Sequence, residues 1–151
     1  MDWIKKIFGL RRISDSQACE EAKQEVITID SLGLQAKVDG VPTYDLFETG
    51  KHDLETMLRV CESEELSYWG QPAGGRMCAA PAAFLRVTIL SKKAKNLDQE
   101  LFICRRWKRI AEDYASQLPV IRGEWAQAHR GGSSRKILER LAKIEASAER
   151  R

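Results

Sequence analysis

Apolar residues recur at helical spacing through the second half of the chain. Ala83, Val87, Leu90 and Ala94 step by four, three and four, Phe84 widens the stripe, and Pro81 stands near its start. Asn96 breaks this run. Leu97, Leu101, Cys104, Trp107, Ala111, Tyr114 and Leu118 then continue at threes and fours, flanked by Ile103 and Ile110. Two stripes with so short a join predict an antiparallel helical hairpin over 81–118.

The same periodicity predicts further helices on either side. Trp3, Ile4, Ile7 and Phe8 share one side of residues 1–12, with Lys5, Lys6 and Arg12 mostly off it, giving a short amphipathic helix. Ser14 and Gln17 have capping-box spacing and open a second helix, with Ala18, Ala22 and Val26 as its buried stripe. Leu54, Leu58 and Cys61 place a helix over 52–66. After Pro119, Ile121 and Trp125 share a short helix face. Arg130-Gly131-Gly132-Ser133 reads as a hinge, and Ile137, Leu141, Ile144 and Ala148 line a final helix capped by Ser133 or Ser134.

Only one region changes period. Val26 to Ile29 is β-branched, Leu32, Leu34, Ala36 and Val38 alternate, and Asp39-Gly40 supplies a two-residue turn. Pro42 cannot donate to a ladder, which confines the second strand, Val41 to Tyr44, to a short edge. The fold expected is therefore mainly α: a small helical domain built on an antiparallel helix pair, with one short β-hairpin. Its organisation is an N-terminal helix over 1–12, a single helical domain over 13–130, and a hinge with a C-terminal helix over 131–151.

Phe84, Val87, Asn96-Leu97 and Leu101 occupy the large, apolar and turn positions of a tetratricopeptide repeat. Over about residues 81–111 the hairpin resembles a single such unit in a small bacterial-type protein. The resemblance implies a stacked helical hairpin that binds peptides in a groove.

Composition adds an ordinary globular balance, 43% hydrophobic and 31% charged, enough for a core without a metal or disulfide staple. Cys19, Cys61, Cys78 and Cys104 are widely spaced, and His52 and His129 are the only histidines, which is not zinc spacing. Lys5 and Lys6 interrupt the first apolar run, so it does not read as a secretory signal, and reduced thiols point to a cytoplasmic protein.

Charge is uneven along the chain. Residues 1–12 carry four basic and one acidic side chain, residues 13–66 four and thirteen, and residues 67–151 seventeen and eight. The balances are +3, −9 and +9, and the two larger regions can face each other within one fold as well as face a partner.

No nucleophile, base and orienting acid stand in a recognisable pattern. His52 beside Asp53 points away from it on a helix, and Tyr68-Trp69-Gly70-Gln71-Pro72-Ala73-Gly74-Gly75-Arg76 reads as a loop that lacks the Gly-Lys-Ser/Thr of a phosphate cradle. A non-catalytic protein-interaction module without cofactor or metal is therefore expected, its contacts made by Tyr68, Trp69 and Trp125. Nucleic-acid binding through Lys92, Lys93, Arg105, Arg106 and Arg109 is the alternative, although the register buries Trp107 and leaves those cations a solvated face. A membrane-surface contact through Trp3, Ile7 and Phe8 is the third reading.

Overall fold

A computed structural model describes residues 32–150 of the chain. The predicted N-terminal helix with Trp3, Ile7 and Phe8, the helix opened by Ser14 and the run 26–29 lie outside the described residues. Asp39 and Gly40 both have positive φ, 52° and 80°, the pair a type I′ hairpin turn requires. Around this turn β1, Lys37–Val38, pairs antiparallel with β2, Val41–Pro42, with Val38 opposite Val41. Leu32 and Leu34 lie before β1, so the predicted alternation overstates its length.

Pro42 ends the second strand earlier than expected. It serves instead as the N-cap of α1, Thr43–Gly50, and turns Tyr44 from a strand residue into an outward helical one. Its fixed φ suits a helix start, and the Thr43 N–H bonds back to the Ala36 carbonyl at 3.1 Å. α2, Leu54–Gly70, follows directly. The Asp53 carboxylate accepts the Thr56 N–H at 2.8 Å and sets its first turn, while exposed His52 faces the Arg86 guanidinium across 2.7 Å.

Tyr68 and Trp69, expected in a loop, form the last turn of α2. Tertiary packing overrides the nearby breakers here: Tyr68 is only 1% exposed, and its hydroxyl donates to Asp113 Oδ2 at 2.6 Å. The buried stripe of α2 is Met57, Val60, Cys61 and Tyr68, rotated from the predicted one so that Leu54 and Leu58 are half-buried.

The predicted helix pair forms the centre of the fold. α3, Pro81–Lys93, and α4, Leu97–Ala115, are joined by three residues, and the Asn96 side chain caps α4 by accepting the Gln99 N–H at 3.0 Å. Ala83, Phe84 and Val87 face Ile103, Cys104, Trp107 and Ile110 in one cluster, with the Phe84 and Trp107 rings 5.2 Å apart. α3 also packs against α2 and α6, which makes it the central helix. The α4 stripe ends at Tyr114. Leu118, placed on that stripe by its spacing, is 60% exposed because Ser116 caps α4 and Leu118 opens a separate turn, α5, Leu118–Ile121.

A 3₁₀ turn, Ala128–Arg130, leads into α6, Gly132–Glu149, with Gly131 at its N-cap. Neither Ser133 nor Ser134 caps this helix with its side chain. Ser134 is buried, and its hydroxyl accepts from Trp107 Nε1 and donates to the His129 carbonyl, both at 2.8 Å. Ile137 and Leu141 join the same core as α3 and α4. The Arg140 guanidinium clamps both oxygens of Glu100, a carboxylate only 1% exposed on α4.

Candidate binding groove

Four alanines around the start of α3, Ala79, Ala80, Ala82 and Ala83, leave little side-chain bulk where that helix approaches α1 and α2. The result is a groove of about 580 Å³, walled by Leu34–Ala36, α1, the second half of α2 and residues 77–83. That volume lies within the roughly 300–1,000 Å³ typical of binding pockets. Phe47, Val60, Tyr68 and Cys78 give it an apolar lining, and Tyr44 and Met77, 60% and 41% exposed, stand among its lining residues.

Glu64 holds the walls together. One carboxylate oxygen accepts from the Thr43 hydroxyl at 2.5 Å and the other from the Ala80 N–H at 3.1 Å. Ala80 is the N-cap of α3 and has no capping side chain of its own, so a carboxylate on α2 serves a helix end that favours negative charge. Segment 71–80 is fixed as well: the Gln117 side chain accepts the Arg76 N–H at 2.6 Å and donates to the Arg76 carbonyl at 2.9 Å, while Arg76 pairs with Asp113 at 3.1 Å. The groove is therefore built before anything occupies it.

Its charge has one sign. Glu48 and Glu64 are the only Asp, Glu, Lys or Arg side chains among the described lining residues. The Cys78 thiol is held protonated, because burial, with Glu64 nearby, pushes its pKa up to about 12, which suits packing rather than nucleophilic attack.

No family model, curated protein or solved structure matches this chain.

Of the three predicted contact aromatics, Tyr68 and Trp69 meet edge to face with ring centroids 5.0 Å apart. Tyr68 is core and contributes to the groove wall, whereas Trp69 and Trp125, both half-buried, lie outside it. Trp69 makes two cation–π contacts, with the Arg76 guanidinium 5.0 Å and that of Arg109 5.8 Å from its ring centroid. Trp125 packs against the core beside α5.

The five candidate phosphate-binding cations lie on α3 and α4. Arg105 pairs with Glu145 at 3.2 Å, Arg106 pairs with Glu65 of the acidic half and lies over the exposed Phe102 ring, and Arg109 lies over Trp69. Lys92 and Lys93 are exposed in the last turn of α3, beside the start of α4. Arg105 stands eight residues into α4, about 12 Å along its axis.

Glu64, Tyr44, Met77 and Ala82 were not singled out by sequence. Glu64 sits in a run of acids that reads as a solvated face, and only the alanine-rich approach to Pro81 carried a signal of a narrow helix end. Among the described residues no group of three metal-ligating side chains converges, and no helix is long and apolar enough to cross a membrane.

A second cleft of about 360 Å³ runs between α4 and α6 and includes His129. Its Nδ1 is buried without a hydrogen-bond partner, and burial, then nearby Arg130, lowers its pKa. A base with a depressed folded pKa stabilises the fold fully above its unfolded value, about 6.5, and loses that contribution as pH falls through the folded value. Urea midpoints measured from about pH 7.5 down to about 5 are expected to fall less in His129→Gln than in the parent. Equal slopes would remove His129 as the cause.

Proposed function

We propose that this chain is a non-catalytic, cytoplasmic protein-interaction module whose groove between α1, α2 and the start of α3 receives an amphipathic peptide segment. The observation that carries this reading is a pre-formed apolar groove whose lining holds Glu48 and Glu64 and no Lys or Arg. Apolar side chains of the peptide supply the binding energy, and a Lys or Arg beside them meets Glu48 and Glu64. The resemblance of residues 81–111 to a tetratricopeptide hairpin, a family that binds peptides in grooves, supports the same reading. The nucleic-acid alternative draws less support, since Arg105 and Arg106 are engaged by carboxylates.

The test uses peptides selected on the full chain from a library of amphipathic sequences, with affinity read by fluorescence anisotropy. Ala82 is exposed, lines the groove and lies in the first turn of α3, so Ala82→Trp fills the groove without disturbing the core. Binding is expected to weaken by roughly tenfold or more in that variant, about 1.4 kcal/mol. Unchanged affinity would refute the groove as the site. Steeply salt-dependent binding of DNA or RNA by the parent would put the nucleic-acid reading in its place.

A further inference from the structure

The groove lies beside the point where the described chain begins. Leu34, Gln35 and Ala36 form one of its walls, two residues from the start of the described chain. We propose that its occupant is the chain's own segment 1–12, docked through Trp3, Ile4, Ile7 and Phe8; this rests on the groove being a peptide site.

Three observations point to that segment. The first is chemical match: a wall of alanines leaves room for bulky side chains, and residues 1–12 place four of them at the spacing of one helix face. The second is charge. Lys5, Lys6, Arg11 and Arg12 give the segment a balance of +3, the charged groove residues are Glu48 and Glu64, and residues 13–66 sum to −9. The third is tethering. The twenty-one residues between Arg12 and Leu34 span up to about 70 Å when extended, more than enough to reach across a small domain. A tethered segment competes at roughly millimolar effective concentration, so even a weak docking contact is populated.

The segment then acts as an internal competitor. A partner peptide must displace residues 1–12, and removal of their apolar side chains raises the apparent affinity of the groove for anything added from outside.

The experiment places the photo-cross-linker p-benzoylphenylalanine at position 8 of the full chain, irradiates dilute protein and maps the products by mass spectrometry of tryptic peptides. Cross-links are expected within one chain, to Met77 or to the neighbouring groove residues of α1 and α3. Their yield is expected to fall roughly tenfold in Ala82→Trp and in the double variant Trp3→Asp with Ile7→Asp. The same double variant is expected to bind an externally selected groove peptide more tightly than the parent.

Cross-links confined to dimers would assign the groove to a second copy and overturn the proposal. Their absence, with capture of the probe by anionic lipid vesicles, would assign the segment to a membrane surface and also overturn it. If groove cross-links are absent while selected peptides still bind the parent and lose affinity in Ala82→Trp, the groove remains a peptide site and only the assignment to residues 1–12 falls. If neither signal is found, both readings fall.

Discussion

Trp107→Ala is expected to remove about 3–5 kcal/mol of stability, the range for truncating a buried tryptophan or phenylalanine, and to leave little folded protein near body temperature. Trp107 is fully buried, contacts Phe84 across the central helix pair and donates its indole N–H to Ser134 on α6. The substitution opens a cavity and also strips Ser134 of its donor. Ser134→Ala keeps the ring but removes both bonds of the hydroxyl, leaving the indole N–H unpaired in the core and the His129 carbonyl without this donor, at a cost of about 1–3 kcal/mol for the buried N–H. Urea unfolding of both variants checks this ordering. A Ser134→Ala loss as large as that of Trp107→Ala would mean that the hydrogen bond, rather than packing, dominates the site.

Arg140→Ala is expected to be comparably damaging, up to about 3–5 kcal/mol, because it leaves a buried carboxylate without its counter-charge. Glu100 is 1% exposed, and Arg140 Nη2 donates to its Oε2 at 2.9 Å while Nε donates to Oε1. The double change Glu100→Leu with Arg140→Met is expected to recover most of the loss, since it removes the desolvated charge together with its partner. If the double variant is no more stable than Arg140→Ala, the pair does more than offset its own desolvation. Thermal melts and urea midpoints of the three proteins decide between these outcomes.

The parts of the fold that could be read from sequence are those in which local and tertiary preferences agree. Asp39-Gly40 marked its own turn, and the stripe from Ala83 to Tyr114 marked the helix pair, because most of its residues face the core, with Ala94 and Leu97 at the join exposed. Where the two preferences diverge, the reading slipped. Tyr68 and Trp69 stand among breakers yet complete α2, since burial of the Tyr68 ring against Asp113 and Arg76 outweighs the local signal. α1 was missed because an eight-residue helix beginning just after a proline has the same composition as a turn. Ser134 has the sequence signature of a cap, but its hydroxyl is committed to Trp107, twenty-seven residues away, which periodicity cannot show.

The candidate site was less legible than the fold. Aromatic anchors and clustered cations are properties of individual residues, and sequence named them; in the structure Tyr68 is core, Trp69 lies under Arg76, and Arg105 and Arg106 face carboxylates. A groove, by contrast, is defined by what is missing between elements. Ala79, Ala80, Ala82 and Ala83 contribute by being small, and Glu64 by reaching from α2 to the end of α3 and to Thr43 of α1. No single position carries that information.

The hydrogen bond from Trp107 to Ser134 also orders events during synthesis. Ser134 and its acceptor, the His129 carbonyl, and the apolar face of Ile137 and Leu141 are made after the rest of the described core cluster. Until they leave the ribosome, the indole of Trp107 has no partner and the outer side of α3 and α4 is uncovered. The nascent chain therefore carries an uncovered tryptophan face while the residues between Trp107 and Leu141 are made, a stretch in which that face is open to aggregation.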